Sequence, residues 1–128
     1  MSDPKCARAL LEAADRDILT LREMTARAPD ESFGFHVQQA AEKALKAWLC
    51  ALGQMYPLRH DLDDLLDLLA SRGAAVGFFR PVAAFTPYAV QFRYEGLGPG
   101  HEPIDRPAAL ARVEELVRHV RDRLAEVG

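Results

Sequence analysis

An all-α fold, an up-and-down four-helix bundle with an additional short kinked helix, is what this sequence predicts. Three observations predict it. Apolar residues recur at three- and four-residue steps through most of the 128 residues, as in helices with one buried face. Pro4 and Gly53 stand where such stretches begin and end, the positions where proline starts a helix and glycine stops one. A length of 128 residues with 49% hydrophobic and 27% charged content suits one soluble domain with a real core. Residues 1–128 are therefore expected to form a single domain.

The first helix is expected from Pro4 to Arg27. Asp3 caps it, Pro4 occupies its first position, and Leu10, Ala14, Ile18, Leu21 and Met24 form its stripe. After the break at "RAPDES", a second helix should run from Pro29 or Asp30 to Leu52, stopped by Gly53. "QMYPLRH" is a connector, because Pro57 blocks helix. The third helix is short, His60 to Ser71, with Leu62, Leu65, Leu66 and Leu69 inward and Gly73 at its end. A helical segment should begin at Pro81 and kink or restart at Thr86-Pro87, a cap followed by proline, continuing to Glu95. "GLGPGHEPIDR" is a loop, and the last helix should span Pro107 to Glu126 on Leu110, Val113, Val117, Val120 and Leu124.

Several function classes are excluded. The longest apolar run is too short for a bilayer, and "MSDPKCARALLEAADRD" has no signal-peptide core. The expected location is the cytoplasm, with no membrane partner. Cys6 and Cys50 lack CxxC spacing, so neither a zinc site nor a structural disulfide is expected. None of the four histidines pairs at i, i+4, and there is no GxGxxG or P-loop, so no metal or cofactor is expected. Net charge is −3, so a nucleic-acid or phosphate site would have to be local.

A local site is conceivable on the second helix. In "HVQQAAEKALKAWLCALG", successive residues turn by about 100°. Val37, Ala41, Ala44, Trp48 and Leu52 then share an arc, widened past half the circumference by Ala40, Leu45, Ala47, Leu49 and Ala51. So broad an apolar surface puts this helix at the centre of the bundle. Gln39, Glu42, Lys43, Lys46 and Cys50 make the remaining strip. Gln38 falls at its border and needs a buried hydrogen-bond partner. Glu42 and Lys46 stand at i, i+4, an arrangement that by itself stabilises a helix by about 0.2–0.5 kcal/mol. A solvated face is the default reading of such a strip, and periodicity does not decide between it and a binding face.

"QQAAEKALKAWL", then "YPLRHDLDDLL", then "TPYAVQFRYEG", in that order, resembles the HEPN family (higher eukaryotes and prokaryotes nucleotide-binding domain) over about residues 7–124. The resemblance implies a dimeric helical bundle. It also implies a minimal nucleotidyltransferase as partner, in a toxin–antitoxin type pair, and either nucleotide binding or ribonuclease activity. Arg59 stands where the family commonly has Thr before His-Asp-Leu. Arg93 and Tyr94 are followed by Glu95 where Arg-Tyr-Pro is common. Ribonuclease members carry an Arg, four to six residues, then a His. Here seven residues separate Arg93 from His101, across a proline–glycine loop. Six separate Arg112 from His119, which share one face of the last helix, expected to be solvated.

The nucleotide-binding candidates are Gln39, Lys43, Lys46, Arg93 and Tyr94, and the catalytic candidates are His60 and Arg93. A histidine can move a proton near pH 7, and an arginine fork can stabilise phosphorane charge. Tyr94 would stack on a base or offer its hydroxyl to a modifying nucleotidyltransferase, with core or interface packing as its alternative role. Capping at the start of the third helix is an alternative role for His60 or Asp61. Burial of Arg93 against Glu42 or Asp61 is the alternative for that cation. Tyr56 and Tyr88 are expected to pack in the core or at an interface, and Trp48 in the core. The favoured function is a nucleotide-binding or nucleotidyltransferase-partner module. An endoribonuclease is the first alternative, and a purely structural homodimer joined through the apolar "GAAVGFFRPVAAF" is the second.

Overall fold

The computed structural model describes residues 3–89 and 102–127. In chain order these form α1 (Pro4–Glu23), α2 (Asp30–Ala51), α3 (Leu62–Ser71), a 3-10 helix (Gly77–Phe85) and α4 (Arg106–Val127). The fold is all-α, with no strand among the described residues. Local chemistry explains most boundaries. The Asp3 carboxylate accepts from the Cys6 amide at 3.1 Å, and Pro4 follows at the first helical position. α1 stops at Glu23 rather than Arg27 because Met24 turns to extended backbone, and Ala28 closes a turn onto Thr25 just before Pro29. Gly53 ends α2 with a φ of 78°, a left-handed conformation that costs glycine nothing. α3 begins at Leu62 rather than His60, since Asp61 is the cap and accepts from the Asp63 amide at 2.9 Å.

The stretch expected to start a helix at Pro81 is instead a 3-10 helix over Gly77–Phe85, with Pro81 inside it. Proline lacks the N–H that an α-helical ladder needs there, and the tighter i→i+3 geometry suits a short segment. Tyr88 and Ala89 are helical. The rest of the expected segment to Glu95 lies outside the described residues. The Thr86 hydroxyl accepts from the Leu62 amide at 3.0 Å, tying the end of the 3-10 helix to the start of α3.

α2 packs against every other element. Asp3 at the start of α1 bonds the carbonyl of Cys50 at the end of α2 (2.9 Å), so the two run antiparallel. Arg106 at the start of α4 meets Asp30 at the start of α2, so these run the same way. The alanines at 40, 41, 44, 47 and 51 are all buried and let neighbouring helices approach closely. Leu62, Leu65, Leu66 and Leu69 of α3 are fully enclosed, each worth about 1.5–3 kcal/mol of burial. The 52–61 connector runs back along α2, bringing Tyr56 beside Lys46 and His60 beside Glu42.

Candidate functional site

The polar strip of α2 is not a solvated face. Glu42 and Lys46 are each 7% exposed and Gln38 is 0% exposed. A buried carboxylate needs donors for its lone pairs, and Glu42 has three. Gln38 Nε2 donates to Oε1 at 2.8 Å, and Lys46 Nζ donates to Oε2 at 3.0 Å. His60 Nδ1 lies 2.9 Å from Oε1. Burial alone would raise the Glu42 pKa. The hydrogen bonds from Gln38, His60 and Lys46, with the Lys46 charge, outweigh it and hold the carboxyl below its ordinary value. Glu42 is therefore ionised at neutral pH and acts as an acceptor alone, which requires Nδ1 of His60 to carry the proton.

Gln38 is fully used. Its second bond goes to the His60 carbonyl at 3.3 Å, and its own oxygen accepts from Gln39 Nε2 at 2.7 Å. α2 thus grips the connector at two points, the backbone and the ring of His60. The Lys46 ammonium also stands 5.3 Å above the Tyr56 ring, a favourable placement for a cation with little water around it.

A second cluster lies between α1 and α2. Asp17 of α1, 8% exposed, accepts from Lys43 Nζ at 2.6 Å and meets His36 Nδ1 at 3.0 Å. Both lysines of the strip therefore face carboxylates already, one on α1 and one on α2. A phosphate arriving here finds these charges balanced two against two. Further positive charge has to come from outside these two pairs.

Of the candidates read from the sequence, Gln39, Lys43, Lys46 and His60 gather on or against α2. Arg93 and Tyr94 lie outside the described residues, as does His101. The chain leading toward them passes α2 closely. A Cβ on Gly34 would stand 2.2 Å from Cδ1 of Tyr88, so the tyrosine ring rests on helix backbone that only a glycine exposes. Burial, then the carboxylates of Asp30 and Glu31, pushes the Tyr88 hydroxyl pKa up.

Three placements had no clear signal in the sequence. Glu42 at i, i+4 from Lys46 looks the same whether the pair is wet or dry, and Asp17 resembles the other charges of α1. His36 gave no signal beyond lying in the same stretch. The expectation that Arg112 and His119 share a solvated face is corrected. His119 sits 4.8 Å from the Trp48 ring and 5.3 Å from Phe79, between centroids. Arg112 stacks over Phe78 at 4.3 Å. Burial, then the Arg123 charge, lowers the His119 pKa despite nearby acidic groups.

The His60–Glu42 pair has a defined chemical capacity. The imidazole is oriented through Nδ1 by an ionised carboxylate, while its side chain remains 65% exposed. Nε2 has no partner among the described residues and can donate to, or take a proton from, a ligand. No three His, Cys, Asp or Glu side chains among the described residues form a metal-binding group. No described helix is long and apolar enough to cross a membrane.

These features define the class: a helical domain whose central helix carries a buried polar spine, opening at one histidine. A HEPN domain model matches residues 7–123, and the chain belongs to the HEPN family. Comparison with curated proteins and with solved structures gives no match.

Proposed function

We propose that this chain binds the phosphate of a nucleotide, or of an RNA, beside His60, and that it does so as a homodimeric module partnered by a minimal nucleotidyltransferase in a toxin–antitoxin type pair. One observation carries the proposal: an exposed imidazole is held through Nδ1 by a buried, ionised carboxylate, leaving Nε2 for a ligand. Holding such a carboxylate in the interior costs stability that an apolar residue would not, as a site for binding would justify. In this proposal Arg93 supplies the phosphate fork, Tyr94 stacks on the base, and Gln39, Lys43 and Lys46 set the floor. The location is cytoplasmic.

Calorimetric titration with adenosine and guanosine mono-, di- and triphosphates tests the proposal. Wild type should bind at least one, and His60→Ala and Arg93→Ala should each weaken binding at least tenfold. No binding of any of them, or of a short RNA, at millimolar concentration would refute it. Light scattering reports the dimer, and co-purification with a nucleotidyltransferase encoded by a neighbouring gene reports the partner.

The same carboxylate–imidazole pair favours one second reading, an endoribonuclease in which Nε2 of His60 takes the 2′-hydroxyl proton and Arg93 faces the phosphorane. RNA cleavage by wild type, lost in both His60→Ala and Arg93→Ala, would support it. Uncleaved RNA with clean wild type would end it.

A further inference from the structure

The fold brings the chain's two cysteines together. Cys6 in the opening turns of α1 and Cys50 near the end of α2 are 44 positions apart, yet their Sγ atoms stand 3.1 Å from each other. Backbone contacts hold them there. The Asp3 amide donates to the Cys50 carbonyl at 2.9 Å, and the Asp3 carboxylate caps the Cys6 amide at 3.1 Å. A disulfide needs the sulfurs at about 2.05 Å, so an approach of about one ångström separates the free thiols from a bond.

The two thiols are not equivalent. Cys6 is partly exposed, whereas Cys50 is 4% exposed. Burial, and then the neighbouring Cys6, pushes the Cys50 thiol up to about 12. Beside the pair opens a surface cavity of about 540 Å³, walled by Met55, Tyr56 and Leu58 of the connector. Met55 is 92% and Leu58 93% exposed, so the cavity opens to solvent on that side, with the Tyr56 hydroxyl against Cys6.

We propose that Cys6 and Cys50 form a reversible thiol–disulfide site that reacts with a low-molecular-weight disulfide seated in this cavity. The Cys6 thiolate attacks one sulfur of the small disulfide. A Cys6–S bond forms, the small disulfide's own S–S bond breaks, and one equivalent of small thiol leaves with the proton that Cys6 gave up. Cys50 Sγ then attacks Cys6 Sγ. The protein disulfide forms, the mixed disulfide breaks, and a second small thiol departs with the Cys50 proton. The two protein thiols lose two electrons, and the small disulfide gains them. Cys6 is the entry thiol because it is the accessible one. Cys50 resolves the intermediate because it is already in contact. The product pins the start of α1 to the end of α2, at the root of the connector that carries His60.

The test is incubation of the full chain with excess glutathione disulfide, followed by intact mass and melting measurements. The expected product is lighter by two hydrogens, monomeric with respect to disulfides, and carries no glutathione. Its Tm should be higher by roughly 10 °C, as expected when a bond closes a loop of this length. Dithiothreitol should reverse both changes. Cys50→Ala should accumulate one glutathione on Cys6, and Cys6→Ser should react at least tenfold more slowly than wild type. A stable glutathione adduct on wild type, a chain-to-chain disulfide as the main product, or no reaction would each overturn the proposal. The wild-type mass alone decides it should either variant fail to fold.

Discussion

Replacing Glu42 by Gln should destabilise the fold by about 3 kcal/mol. The carboxylate and its Lys46 partner each have side chains 9% exposed, so solvent screens little of their interaction. Removing one member of a buried pair leaves the other charge uncompensated, at a cost of about 3–5 kcal/mol. The lower end applies because glutamine keeps an oxygen for Gln38. The same oxygen serves His60, so the amide N–H₂ is turned toward Lys46, itself a donor. With an unfolding entropy of about 2.1 cal/mol/K per residue, 128 residues give about 270 cal/mol/K, so Tm should fall by about 11 °C. Thermal and urea unfolding followed by circular dichroism at pH 7 measure this. The loss should depend on pH in a known direction. The folded-state pKa of Glu42 lies below its unfolded value. Its stabilisation is fully present above the unfolded pKa of about 4.3 and vanishes as pH falls through the folded value. Wild type and variant should converge below that point. The double replacement Glu42→Leu with Lys46→Met should recover most of the stability, since an apolar pair of similar volume leaves no charge to solvate. A loss under about 1 kcal/mol in Glu42→Gln at pH 7 would show that the carboxylate is not buried among these donors.

Three further outcomes are expected. Gly34→Ala should destabilise by about 1–3 kcal/mol, although alanine is the better helix former by about 1 kcal/mol, because its Cβ meets the root of the Tyr88 ring; a stabilised variant in urea unfolding would contradict this contact. Arg106 bonds Asp30 and the carbonyls of Thr25 and Ala28 and lies 4.9 Å over the Phe33 ring, so Arg106→Lys should cost about 1–2 kcal/mol, since lysine cannot reproduce the planar fork. An unchanged urea midpoint would argue against it. Trp48 is the chain's single tryptophan, and its emission should drop as His119 protonates against it. That drop belongs below about pH 6.5, the ordinary histidine value, because burial lowers the His119 pKa. The same depressed pKa makes stability decline as pH falls through this range, since the unfolded chain takes up the proton first. His119→Gln should abolish the fluorescence step, and a step that survives would assign it elsewhere.

The helices were legible wherever a stripe met a punctuating residue. Asp3-Pro4 and Gly53 marked true ends, and the alanine-rich arc identified α2 as the centre. Gly77–Phe85 is not legible from sequence because three phenylalanines and a proline fit several local geometries, and the choice is made by packing of Phe79 and Val82 against the other helices. Gln38 was legible as a residue in need of a partner, since its angular position placed it among leucines. Glu42, Lys46 and Asp17 were not, because the sequence alone does not say which neighbour covers a charge. The three-dimensional neighbours of Glu42 come from positions 38, 46 and 60. The last of these depends on the path of a connector that has no periodicity to read.

The alanines of α2 also limit how sequences with this architecture can diverge. A helix enclosed at methyl-group range leaves no room for longer side chains, so substitution along its axis is resisted at every turn. The connector residues Met55 and Leu58 are open to change, with both exposed. Differences between such chains would then gather in that short connector, while the rod beneath it stays the same.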